Sequence, residues 1–490
     1  MYKRRFLIPL LTWWRKPRYP ELPPTLKQSP LKQMLRFVKE LDKLKDDAHA
    51  QLGKTYTLDL LGMGPVVVFT GEEEVKQILA GGPKDFANAN DPVAFFVGPK
   101  SIFLLEDEAH KLARQRAKIA FTSQRLKNYG PIIKDATDAW LDQLEAGQQI
   151  SAMEAGRDIA LDIILKAMFG MEPGPDYNNL RRLVIEFMEG GRATSAGLLS
   201  LWLPAEKVRK LVIGRRNPVT MDLEKKQGFL RLLGAIPTIK AARGLMDSLL
   251  KQIRKRRETL DDGGQDALAH ILRGVQEREQ EYTDAEALDE ILTLLLAGHD
   301  TTAITLSWAL YRLSQSPKVV KKMREELDEF FPEQPIDPKR IDELPYLQAV
   351  IDEGFRMDAI VAGTARRVRR DMVIGGIQLK KGTIIQAYNR PSMWDKDKWQ
   401  TPFAFNPEQI QNKKLKPHEL APFGGGHRRC TGAGFAVFES KIILAQTIRR
   451  ADLKTPEGLV VKRGMLGPMG APIGPVPVIV HDVRPKVESN

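Results

Sequence analysis

From Thr283 to Ser314 the chain runs without a proline through two dense apolar stretches, Ile291–Ala297 and Ile304–Leu310. Thr283 and Glu286 supply the paired pattern of a capping box at its start. A helix this long and this apolar has to pass through the middle of a protein, so the rest of the chain must be built around it. Halfway along stands Ala297-Gly298-His299-Asp300-Thr301-Thr302, with a glycine and an acid where the core should be driest. Burying an unpaired carboxylate costs several kcal/mol or shifts its pKa. The stretch therefore reads as a polar pocket inside a buried helix and not as a solvated face.

The spacing elsewhere predicts a mainly α fold with a small β subdomain. Thr55–Leu60 and Val66–Phe69 are β-branched runs around Gly62-Met63-Gly64-Pro65, a hairpin pattern. From about Gly71 to Glu353 the segments carry helical spacing, with breaks near Asp91–Lys100, Pro173–Asp176 and Asp261–Gly264. After Ala365 short strands and loops follow, then a last helix expected from Thr431. No repeat and no linker divides the chain, so we expect a proline-rich arm over residues 1–30 and one domain over residues 31–490. The arm carries Lys3, Arg4 and Arg5, then the apolar run Phe6–Trp14 with Pro9 inside it. A spanning helix needs about 20 apolar residues, so this run is too short to cross a bilayer. A cytoplasmic protein is expected, with the arm packed on the domain or touching a membrane surface.

Lysine and arginine number 75 against 62 acidic residues, a formal charge of +13. That excess favours acidic partners, but nothing suggests nucleic-acid readout. Arg254-Lys255-Arg256-Arg257 reads as solvated surface. With a single cysteine no internal disulfide can form, and a closed zinc site lacks ligands because the seven histidines show no close pair.

That cysteine sits in Phe423-Gly424-Gly425-Gly426-His427-Arg428-Arg429-Cys430-Thr431-Gly432. Glycines let the backbone curl so that amides point at a thiolate, Arg428 and Arg429 supply charge that lowers a thiol pKa, and a helix start favours an anion. The stretch resembles the cysteine-ligand loop of the cytochrome P-450 family, FxxGxRxCxG, at Phe423, Gly426, Arg428, Cys430 and Gly432, and Phe435, Ala436 and Glu439 continue the likeness. Glu353-Gly354-Phe355-Arg356 is similar to the family's ExxR, an i, i+3 pair with a structural role. The central AGHDTT stretch resembles its oxygen-activating motif at every position.

The resemblance implies a haem-thiolate fold holding haem b with Cys430 as the axial ligand to iron. Ala297 and Gly298 would lie against the haem on one side, with Gly298 leaving room for dioxygen. Phe423, Gly424, Arg428 and Gly432 would frame it on the other. Thr301 would bond back to the Ala297 carbonyl and, with Asp300, relay protons during dioxygen activation. The thiolate would push electron density toward the iron to favour O–O cleavage. His110 and Arg114 resemble the family's WxxxR segment and, with Arg366 (Arg367 a close rival) and Arg428, would bind the haem propionates. One departure is Gln409, in Phe405-Asn406-Pro407-Glu408-Gln409-Ile410, where the family usually has an arginine that completes a triad with ExxR. Gln409 can hydrogen-bond but cannot form the bidentate ion pair.

By the same resemblance the pocket falls on Asp91–Phe103, the region around Met188–Arg243, the central helix and Val361–Thr364. Phe95, Phe96, Val97, Ala297, Val361 and Ala362 would make it apolar, suited to a lipid, terpenoid, steroid or fatty-acid-like substrate. The expected reaction is a monooxygenation, hydroxylation or epoxidation, by a monomer. Its electrons would come ultimately from NAD(P)H through a separate ferredoxin or flavodoxin, docked on Lys413, Lys414, Lys416, Arg429 and the Arg114 region. A peroxygenase or isomerase on the same scaffold, or a haem-binding sensor or carrier, are the alternatives; the Asp300–Thr301 pair speaks against both.

Overall fold

The apolar run folds as a single helix, Asp284–Ser314, in the computed structural model, which describes residues 21–90, 93–193, 237–279, 281–411, 413, 415–467 and 469–487. Its start is closed reciprocally: the Glu286 N–H donates to Thr283 Oγ1 at 3.3 Å and the Thr283 N–H to Glu286 Oε2 at 3.1 Å. Several buried polar groups in the first half of this helix find partners on neighbouring elements, as a low-dielectric interior favours. Asp289 accepts the Lys100 N–H at 2.9 Å, and the Thr293 hydroxyl donates to Ser101 Oγ at 2.8 Å. Glu290 accepts from Arg116 Nε at 3.0 Å and from the Tyr282 hydroxyl at 2.9 Å.

Around it stand α1 (Pro30–Lys39), α2 (Leu41–Leu52), α3 (Glu72–Ala80), α4 (Asp107–Ala120), α5 (Ser123–Leu141) and α6 (Ala152–Phe169). The central helix is α7 (Asp284–Ser314), followed by α8 (Pro345–Met357) and α9 (Ala433–Arg450). Helices α6 and α7 touch backbone to backbone: a Cβ on Gly156 would stand 2.7 Å from the Ala303 carbonyl oxygen, so only glycine permits the crossing. One core runs through these helices, and a smaller one lies beneath a five-stranded sheet.

The sheet contains β1 (Thr55–Leu60), β2 (Gly64–Phe69), β3 (Phe86–Ala87), β4 (Gly363–Val368) and β5 (Ile384–Tyr388) in the order β1-β2-β5-β4-β3. Strands β1 and β2 form the expected hairpin, β2 pairs parallel with β5, and β4 lies antiparallel to β5 with Arg366 opposite Ile385. A second sheet sets Pro477–Val483 between Gln149–Ser151 and Ala451–Lys454, joining the end of the chain to the segment before α6.

Two local expectations change. The last helix begins at Ala433, because Thr431 and Gly432 form the turn that carries the chain out of the cysteine loop. The basic run on the helix Pro237–Glu258 is not merely solvated. Arg256 pairs with the buried Asp266 at 2.7 Å, and Arg257 donates to the Tyr282 carbonyl at 2.7 Å with its guanidinium 5.7 Å from the Tyr282 ring. The Tyr282 ring just before α7 and the buried Asp266 at the start of the helix Ala267–Gln276 hold these cations in place. Of the arm, residues 1–20 lie outside the described residues. Its remainder lies along β1, where the Thr57 N–H donates to the Pro24 carbonyl at 2.8 Å and Leu26 is buried.

Candidate active site

The cysteine loop is shaped by what α3 leaves free. Gly424 and Gly426 take φ values of +66° and +63°, and a Cβ on Gly426 would fall 2.2 Å from the Leu79 carbonyl oxygen. A side chain at Gly426 is thus excluded both by conformation and by space. The Cys430 N–H donates to the Phe423 carbonyl at 2.9 Å and closes the loop, while the Phe423 ring meets Phe355 of α8 edge-on at 5.1 Å.

Cys430 is exposed, yet burial pushes its thiol pKa up, opposed by the Gly432 N–H, Arg429 and Arg114. Donors and cations around it lower the cost of a thiolate there.

A group of cations stands beside the loop. Burial first, then Arg428, Arg114, His427 and Arg366, pushes the His110 pKa down to about 3. Its ring meets that of His427 edge-on at 5.9 Å. Burial and then Arg428 lower the Arg366 pKa to about 10, and burial lowers that of Arg428 although Glu106 opposes it from 2.9 Å. Arg114 Nη1 donates to the Arg429 carbonyl at 2.6 Å. Arg366 Nε and Arg428 Nε have no hydrogen-bond partner among the described residues. Arg366, not Arg367, turns into this group, since alternate residues of a strand face opposite sides.

On α7, the Thr301 hydroxyl donates to the Ala297 carbonyl at 2.6 Å, and Asp300 beside it is buried. A Cβ on Gly298 would stand 3.1 Å from Ile164 Cδ1, which gives this glycine a packing reason on the α6 side. Thr302 donates to Glu439 Oε1 of α9 at 2.6 Å, and burial raises the Glu439 pKa to about 8 against the pull of that bond.

Behind the cysteine loop, Arg356 holds Glu353 bidentately, Nε to Oε2 at 2.7 Å and Nη2 to Oε1 at 2.8 Å, with both side chains fully buried. Arg356 Nη1 also donates to the Met393 and Pro402 carbonyls at 2.7 and 2.8 Å. Gln409 Nε2 donates to Glu353 Oε1 at 2.8 Å, as does the Asn406 N–H at 2.9 Å. The place of the missing arginine is filled by an amide.

The family model for cytochrome P-450 matches residues 23–210 and 233–477, most of the chain. This chain belongs to the cytochrome P-450 family. Cytochrome P-450 138 of Mycobacterium tuberculosis is 29% identical over 435 residues, 89% of this chain and 90% of that one. Cytochrome P-450 135A1 of the same organism is 26% identical over 391 residues, 79% of this chain and 78% of that one. Cytochrome P-450 135B1 of Mycobacterium bovis is 26% identical over 406 residues, 82% of this chain and 79% of that one. A P-450 is a haem-thiolate monooxygenase, and this one is an oxidoreductase that uses haem and dioxygen.

The residues of this P-450 fit a haem. An accessible sulfur near donors suits an iron, and buried arginines with orphaned N–H groups call for carboxylates, of which the described residues place Glu106 beside Arg428. Haem propionates are such carboxylates.

Of the expected pocket residues, Phe96 meets Phe187 edge-on at 6.4 Å, Val97 and Ala362 are buried, Ala297 is half-buried and Val361 is 41% exposed. The Phe95 side chain, residues 91–92 and 194–236 of the expected pocket walls, and residue 414 of the expected docking face lie outside the described residues. Lys413, Lys416 and Arg429 are exposed. Among the described residues no helix is long and apolar enough to cross a membrane.

Two groups escaped the sequence reading. The Arg116–Glu290 pair joins residues 174 apart in sequence, and the Thr302–Glu439 bond joins residues 137 apart. The signal for Glu439 was an acid shortly before the apolar run Ile442–Ala445.

Proposed function

We propose that this P-450 inserts one oxygen atom from dioxygen into an apolar lipid-, terpenoid-, steroid- or fatty-acid-like molecule, by hydroxylation or epoxidation. The observation that carries this reading is a buried Asp300 next in sequence to Thr301, whose hydroxyl donates to the Ala297 carbonyl at 2.6 Å within an apolar helix. Haem b, bound through Cys430, supplies the one-electron and oxygen chemistry.

The chain's own residues do the rest. Gly432, Arg429 and Arg114 favour the thiolate form of Cys430 against burial. His110, Arg114, Arg366 and Arg428 would hold the propionates, Phe423, Gly424 and Gly432 would frame the ligand loop, and Ala297 and Gly298 would line the other side of the site. Thr301, released from its carbonyl, passes a proton delivered by Asp300, and Phe95, Phe96, Val97, Val361 and Ala362 keep water from the substrate. Glu353 and Arg356 fix the core behind the loop.

Electrons come from NAD(P)H through a separate ferredoxin or flavodoxin, steered by Lys413, Lys416 and Arg429 to a monomeric domain. The protein works in the cytoplasm, at the periphery of a membrane. Supporting that contact, Leu31, Leu35 and Val38 of α1 are 42%, 52% and 42% exposed at i, i+4 and i+7, with Lys27, Lys32, Lys39 and Lys43 exposed around them.

The experiment is titration of the purified holoprotein with dodecanoic acid, a steroid and a monoterpene, followed in the Soret band and then by product analysis. We expect at least one to shift the band and to be oxygenated, with Thr301→Ala diverting electrons to hydrogen peroxide. A response only to polar ligands would overturn the substrate class, and unchanged coupling in Thr301→Ala would overturn the relay.

A further inference from the structure

Glu106 stands at the N-cap of α4, yet its side chain does not cap the helix it opens. Asp107, the first helical residue, takes a φ of +50°, a left-handed conformation uncommon for residues other than glycine. Carboxylates at an N-cap ordinarily bond to the amides of the first turn, so this start gives up a stabilising contact. Both acids are turned elsewhere. Glu106 Oε1 accepts the Asn88 N–H at 2.6 Å and also the Asn88 side-chain amide. Glu106 Oε2 accepts from Arg369 Nη2 at 2.9 Å and forms an ion pair with Arg428 Nη2, also at 2.9 Å. Asp107 pairs with the other terminal nitrogen of Arg369, at 2.9 Å.

Arg428 is thereby held along one edge. Its Nη1 donates to the Ile102 carbonyl at 3.2 Å, and Nη2 donates to the Leu105 carbonyl at 2.6 Å while facing Glu106. Nε is the nitrogen left without a partner among the described residues. Glu106 is also an acid that the neighbouring cations share. Burial holds the pKa values of Arg366, Arg428 and His427 below their ordinary values, and Glu106 opposes it in all three.

We propose that Glu106 is a positioning residue for the haem site: it clamps Arg428 so that Nε is left for a propionate, and it places a negative charge among the cations there. The inference rests on the reading that Arg428 faces the haem propionates. A protein tunes a haem through the charges and hydrogen bonds around it, and a carboxylate nearby disfavours the electron added on reduction. Glu106 thus keeps the reduction potential lower than the arginines alone would set it. A carboxylate serving only to join α4 to the sheet would hold the fold without moving the potential.

The test is redox titration of the substrate-free holoprotein, followed in the Soret band, for wild type, Glu106→Gln and Asp107→Asn. Glutamine keeps the shape and an acceptor for Asn88 and removes the charge. We expect Glu106→Gln to move the potential upward. Asp107→Asn should move it less, since Asp107 is 58% exposed against 28% for Glu106 and its charge is screened by solvent. An unmoved potential in Glu106→Gln, or equal shifts in the two variants, would overturn the inference. If Glu106→Gln retains no haem, Arg369→Gln decides: it removes the cation that shares Oε2, so the potential should fall, and no fall would overturn the inference. Transfer of haem from Arg428→Gln to an acceptor protein separates the inference from the reading beneath it. Transfer at the wild-type rate would overturn the propionate contact and the inference with it. Faster transfer, with an unmoved potential in Glu106→Gln, would leave the contact and remove Glu106.

Discussion

The hydroxyl of Thr302 on α7 donates to Glu439 Oε1 on α9 at 2.6 Å, so the helix of the acid–alcohol pair and the helix leaving the cysteine loop share one fully buried carboxyl. Burial raises that carboxyl from its ordinary 4.5 to about 8. Between those pH values the unfolded chain has released the proton and the folded chain keeps it. The group therefore lowers stability as pH rises, by up to about 1.4 kcal/mol per unit, and contributes no slope below the unfolded value. Glu439→Gln keeps an acceptor for Thr302 and removes the titration. Its stability relative to wild type, from urea unfolding of the holoprotein, should improve steadily from pH 5 to pH 8; a constant difference would mean that Glu439 is ionised in the fold.

Glu353 and Arg356 form a fully buried pair whose remaining N–H groups reach the Met393 and Pro402 carbonyls. Removing one partner leaves an uncompensated charge, which costs about 3–5 kcal/mol. Arg356→Ala should yield little folded, haem-loaded protein. Gln409→Ala leaves Glu353 with Arg356 and the Asn406 N–H, so it should cost only about 1 kcal/mol in unfolding experiments. Equal losses from the two variants would show that Gln409 carries as much as the arginine.

Arg366 and Arg367 differ in facing. Arg366 is buried beside Arg428 and His110, and its Nε has no partner among the described residues. Arg366→Ala should weaken haem retention about tenfold or more, the worth of a charged hydrogen bond, and Arg367→Ala should leave it near wild type. Transfer of haem to an acceptor protein reads both, and the reverse order would contradict the placement of Arg366.

The α1 stripe predicts binding to vesicles. Sedimentation with phosphatidylglycerol vesicles should retain the protein more than phosphatidylcholine vesicles do, because lysines flank the apolar residues. Leu35→Asp should weaken this binding about tenfold, since burying one leucine is worth about 1.5–3 kcal/mol. Binding that ignores both lipid charge and the substitution would remove α1 as the contact.

Much of this was legible in the sequence because it is written locally. The central helix announces its length by its apolar run and its start by Thr283 and Glu286, and Gly426 and Cys430 stand in one short loop. What was not legible depends on partners far along the chain. The facing of Arg366 is set by its register opposite Ile385 in β5. The strand Gln149–Ser151 exists only because Pro477–Val483 comes back to pair with it. Arg256 and Arg257 look like surface charge until Asp266 and Tyr282 are folded against them. The sequence shows that Gln409 cannot form the bidentate ion pair, and only the fold shows its amide reaching Glu353 at 2.8 Å.

The account rests on Cys430 as the thiolate that binds iron, and the absorption spectrum of the reduced, carbon-monoxide-bound protein tests this most directly. We predict a strongly red-shifted Soret band of the thiolate type, lost in Cys430→Ala. A band of the imidazole type that Cys430→Ala leaves unchanged would contradict the account.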